Sequence, residues 1–170
     1  SQVFAQKDGT PMERIELGKY VVAAPQICHG VLTFKGTELC VQDVLKMVAD
    51  EMEWDEILHR WHNGITKEAI AEAVLIASQI FIRLKEKPTQ RLEYGKYVVA
   101  DPRICHGRVT FNGTRIFVQD ALKMVADEME WEQIMWEWRG SITKEAIAEA
   151  ITLASQVLIQ RAASIQEEAT

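Results

Sequence analysis

The sequence predicts an α+β protein, mostly α. It reads as two tandem copies of a small β-hairpin plus three-helix domain, packed as a pseudo-dimer. Three observations predict this. Residues 15–84 and 92–161 align without a gap at a period of 77, and 44 of the 70 paired positions are identical. Each copy opens with short β-type apolar runs broken by Gly and Pro. Each then carries apolar residues at helical spacing. Domains this small bury little core alone, so the copies are expected to pack on each other. The expected division is an N-terminal arm over 1–14, a first repeat over 15–87, a linker over 88–91 and a second repeat over 92–165.

Residues 1–13 are polar and mixed and read as a loose arm. The first strand is Tyr20-Val21-Val22-Ala23, matched by Tyr97 to Ala100. A loop with Pro25 and Gly30 follows, then Val31 to Phe34 and a turn at Lys35-Gly36. Asn112-Gly113 is the stronger turn signal in the second copy. The apolar run Leu39-Cys40-Val41 reads as a further β segment. Val44, Leu45, Val48 and Met52 share one face of a first helix. Trp54, Ile57, Leu58 and Trp61 define a short second helix, with Asp55 and Glu56 at its positive end. His62-Asn63-Gly64 is a turn. Thr66 is the expected cap of a third helix, which carries Ile70, Ala73, Val74, Ala77, Ile80, Phe81 and Leu84 inward. Pro88 ends it. A short helix, a Gly turn and a longer capped helix outline a helix-turn-helix, and equally any αα-hairpin.

The bulk numbers exclude several classes. No apolar run approaches the roughly 20 residues a membrane span needs, and no signal-peptide pattern is present. Cys28, Cys40 and Cys105 form an odd set without a framework, which points to reduced thiols and a cytoplasmic location. A net charge of −6 disfavours a general nucleic-acid coat and leaves room for a local basic patch.

A resemblance rests on Tyr97 to Gly107, then Phe111-Asn112-Gly113-Thr114-Arg115-Ile116. It continues in Met129-Glu130-Trp131-Glu132-Gln133-Ile134 and in Ile142-Thr143-Lys144-Glu145-Ala146-Ile147. These stretches resemble the bacterial Domain of Unknown Function 433 family, whose mark is a Gly-Thr-Arg-Ile turn entering the first helix. The resemblance implies a small helix-turn-helix-like domain without known enzyme activity. Some members are similar to antitoxins encoded beside PIN-like ribonuclease toxins. This chain departs from the pattern in three places. Phe117 and Cys40 stand where the family has Pro, and Gly36-Thr37-Glu38-Leu39 lacks the Arg. His62-Asn63 and Arg139-Gly140 replace a Tyr-Pro before the third helix.

No catalytic constellation emerges, so no enzyme activity and no cofactor are expected. Cys28-His29 and Cys105-His106 are the metal-like pairs. Adjacent residues diverge, and a buried Cys beside a satisfied His is the simpler reading, so no metal is expected. Trp54, Trp61, Trp131 and Trp138 read as packing residues. Trp136, standing where copy one has His59, reads as an interface anchor. The acidic run Asp50 to Glu56, repeated at 127–132, suits a solvated helix junction or a basic partner.

For DNA, the third helix is the test. Its expected outward residues are Lys67, Glu68, Ala71 and Glu72, with Lys144, Glu145, Ala148 and Glu149 in copy two. One Lys against two Glu makes a poor groove reader. The basic exception is copy two's β region, where Gln26, Val31 and Glu38 become Arg103, Arg108 and Arg115. With Arg91 and Lys96, residues 91–119 carry five basic side chains against two acidic. The plain alternative is that Arg115 pairs internally with acids at 127–132. The expected function is a non-enzymatic, antitoxin-like regulator that binds a PIN-like toxin or other protein and, as a further option, DNA. The alternative is a protein-interaction scaffold without nucleic-acid contact. Further homo-oligomerisation is compatible with either.

Overall fold

The computed structural model describes residues 3–5, 11–13, 15–23 and 31–169. A strand pair joins β1 (Val3–Ala5) to β2 (Pro11–Glu13), so the arm read as loose contains a hairpin. Copy one follows with β3 (Ile15–Glu16), β4 (Val21–Ala23) and β5 (Leu32–Phe34), then α1 (Val41–Ala49), α2 (Trp54–Arg60) and α3 (Lys67–Lys85). Copy two repeats the order with β6 (Leu92–Glu93), β7 (Val98–Ala100), β8 (Val109–Phe111), α4 (Val118–Ala126), α5 (Trp131–Glu137) and α6 (Lys144–Ala169).

Each expected hairpin is the inner part of a three-stranded antiparallel sheet. Ile15 pairs with Ala23 and Val21 with Phe34, and the second sheet has the matching register. The short outer strands β3 and β6 carry too few residues to show an alternation. Leu39–Val41 is not a strand. Cys40 makes a single bridge to Thr33, and Val41 already begins α1. β4, β5, β7 and β8 are buried throughout, so they read as solid apolar runs rather than alternating ones.

The helices begin and end where local chemistry dictates. The Thr66 hydroxyl accepts the Ala69 N–H at 3.2 Å, and Thr143 caps α6 in the same way. Met52 lies beyond the end of α1. There the Glu51 and Met52 N–H groups return to the Val48 and Met47 carbonyls at 3.0 and 3.1 Å, closing a Schellman turn. Leu84, expected inward, is 55% exposed, although Phe81 and Ile82 just before it pack on the core.

The core does not divide at the linker. α3 packs most extensively on α6, while α1 lies along α6 and α4 along α3. Each first helix therefore meets the other copy's third helix more than its own. Ile70, Ala73, Phe81, Ile147, Ala150 and Leu158 sit in one continuous buried cluster. Reciprocal contacts of this kind are the pattern of a twofold interface, here within one chain. Among the described residues no helix is long and apolar enough to cross a membrane.

Candidate functional site

The expected DNA-facing helix is the centre of the molecule. Lys67 and Lys144 are not outward-facing cations. Lys67 Nζ lies 3.0 Å from Asp55 and 2.8 Å from Glu128 of the other copy. Lys144 Nζ lies 2.5 Å from Glu132 and 3.0 Å from Glu51 of the other copy. Each lysine thus ties its own second helix to the turn after the other copy's first helix. Hydrogen bonds donated to Glu128 and then Asp55 raise the Lys67 pKa above its ordinary value, and those donated to Glu132 and then Glu51 raise that of Lys144. The Glu132 carboxyl is lowered, first by Lys144.

The acidic run therefore finds much of its basic partner inside the chain. Asp50 pairs with Lys46 and Asp127 with Lys123. Between the two runs lies a narrow cleft. Val48, Glu51, Met52, Glu53 and Trp54 line it from one copy, and their five counterparts line it from the other.

Glu72 and Glu149, also expected outward, are half-buried caps. Glu72 accepts the N–H groups of Lys19 and Tyr20 at 2.9 and 2.7 Å. Glu149 does the same for Lys96 and Tyr97. A Cβ on Gly18 would stand 2.6 Å from Glu72 Oε1, so a larger residue there would push this carboxylate aside. Of the four third-helix positions expected to face out in each copy, only Glu68 and Glu145 are exposed.

The basic patch of copy two is largely a seat for the linker. Asp101, 2% exposed, receives Arg91 at 3.2 Å and Arg103 at 3.3 Å. The Arg103 backbone N–H, followed by its guanidinium, holds the Asp101 carboxyl below the ordinary value. Arg108 reaches Glu86 at 3.4 Å and Gln119 at 3.1 Å, with its guanidinium 3.9 Å from the Phe117 ring centroid. The Lys87 N–H donates to Gly107 O at 2.8 Å, and the Tyr94 hydroxyl to Lys85 O at 2.6 Å. A Cβ on Gly107 would come within 2.9 Å of Lys87 Cα. Arg91 on Asp101 and Arg108 on Glu86 thus fasten the linker to the copy that follows it.

Arg115 differs. It is exposed and takes no ion-pair or hydrogen-bond partner among the described residues, including the acids at 127–132. Trp136 is 75% exposed, whereas Trp54 and Trp131 are buried. Trp61 and Trp138 are half-buried just past their helices, each with an indole N–H lacking a partner. Cys28 and His29, with Pro25, Gln26 and Gly30, lie outside the described residues. Cys105 is a half-buried free thiol beside an exposed His106. Among the described residues, no three His, Cys, Asp or Glu side chains converge on a point that could hold a metal.

A family model described as protein of unknown function (DUF433) matches residues 21–75 and 98–154, well over half of the chain. The chain belongs to this family. The two matched segments make it a tandem DUF433 repeat. Each segment runs from the buried central strand into the third helix, so the DUF433 unit includes both halves of the crossed packing described above. No curated protein and no solved structure matches the chain.

Proposed function

We propose that this tandem DUF433 protein is a non-enzymatic regulator that works by binding a protein partner, in the manner of an antitoxin. The observation that carries the reading is the fate of the third helices. They bury their apolar faces against each other, and their leading lysines are held by carboxylates of both copies. A major-groove reader needs a free helix face with Arg, Lys, Asn or Gln on it. These helices offer no such basic face, which supports protein over DNA as the main partner. Exposed Trp136 supplies an aromatic anchor of the kind protein interfaces favour. Antitoxin character rests on the family resemblance alone, and a scaffold role is the alternative within the same class.

One observation favours a secondary DNA contact: Arg115 is exposed and unpaired at the mouth of the turn entering α4. Arg108 is held by Glu86 and Gln119, so any such contact centres on Arg115.

The test has two arms. Co-purification of the full chain with a PIN-like ribonuclease encoded beside its gene should give a stable complex that inhibits RNA cleavage. Loss of ribonuclease inhibition despite binding would favour the scaffold. Fluorescence anisotropy with duplex DNA at low salt should show at most weak binding, unchanged by Lys67→Ala/Lys144→Ala. Arg115→Ala should reduce any salt slope by about one unit. Tight DNA binding abolished by the lysine variants would overturn the reading.

A further inference from the structure

We propose that the exposed C-terminal end of α5 docks against the equivalent end of α2 in a second copy of this chain. The two second helices agree where they are buried. Trp54 and Ile57 match Trp131 and Ile134. They part where they are exposed. His59, Arg60 and His62 of copy one stand where copy two has Trp136, Glu137 and Arg139, and all six side chains are exposed.

The charge reverses at one position. Arg60 and Glu137 are equivalent residues of opposite sign, and neither has an ion-pair partner among the described residues. Two α2 ends brought together would oppose Arg60 to Arg60, and two α5 ends would oppose Glu137 to Glu137. An α5 end against an α2 end pairs Glu137 with Arg60. The same approach brings Trp136 to a face carrying a guanidinium and two imidazoles, and tryptophan is the best aromatic acceptor for a cation over its ring. With Trp136 75% exposed, the two ends do not meet within one chain. The contact joins two different patches, so each added molecule leaves one patch of each kind free. Assembly then continues until a ring closes or a chain extends.

Sedimentation equilibrium on the full chain, from micromolar to millimolar concentration, tests this. The weight-average mass should rise above 19.3 kDa with concentration. Arg60→Glu and Glu137→Arg should each weaken association by about tenfold or more, because each sets like charges face to face. The double variant Arg60→Glu/Glu137→Arg should restore it. Trp136→Ala should weaken it without changing the charge. Circular dichroism equal to wild type in each variant keeps these effects at the surface. A mass of 19.3 kDa at every concentration overturns the proposal. So does a charge swap that fails to restore association, or an association indifferent to Arg60→Glu, as an α5–α5 contact would be.

Discussion

Glu51 and Glu128 adopt φ 62° at the position after a helix end where glycine is usual. A side chain there costs about 1 kcal/mol or more in backbone strain. The same side chains make the ties to Lys144 and Lys67, which are partly exposed and weak in consequence. Backbone strain should therefore win. Glu51→Gly and Glu128→Gly are each expected to stabilise the fold by about 0.5–1 kcal/mol, read from the urea midpoint. A lower midpoint would mean that the inter-copy tie outweighs the strain. Asp101 gives a second prediction. Its carboxyl is held below the ordinary 3.8, first by the Arg103 backbone N–H. A depressed carboxylate stabilises the fold above its unfolded pKa and loses that contribution as pH falls through the folded value. Below about pH 4, wild type should thus lose stability faster than Asp101→Asn. Parallel urea midpoints for the two proteins across that acid range would remove Asp101 from the account.

At the scale of elements, most of the architecture was legible because the repeat doubled every signal. Thr66 and Thr143 marked the third helices through their capping chemistry, and the Trp and Ile spacing marked the second. The outer strands Ile15–Glu16 and Leu92–Glu93 were not legible, because two residues set no period. Leu39–Val41 misled because a bridge residue running into a buried first turn has the same apolar pattern as a strand. The outward face of α3 misled for a different reason. Amphipathic spacing finds the buried stripe, but Glu72 and Lys67 are held by a loop and by the other copy, which periodicity along one helix cannot register. Truncating the stripe is the corresponding test. Ile70→Ala or Ile147→Ala, each fully buried, should cost about 2–5 kcal/mol. A loss below about 1 kcal/mol in chemical denaturation would show that α3 and α6 are not central.

For the whole molecule, the crossed packing makes the linker a joint inside one unit rather than a tether between two. Arg91 reaches Asp101 of copy two, and Arg108 of copy two reaches Glu86 at the linker's start. Basic residues that suggested an anion site from composition are thereby explained in part by topology, with Arg115 the exception. The central claim is that two DUF433 copies share one core with their third helices buried at its middle. Native-state hydrogen exchange tests it most directly. Amides of α3 and α6 should be the slowest in the chain and should open together, with the same free energy, in the global unfolding step. Fast exchange along either third helix, or two copies opening at separate free energies, would contradict it.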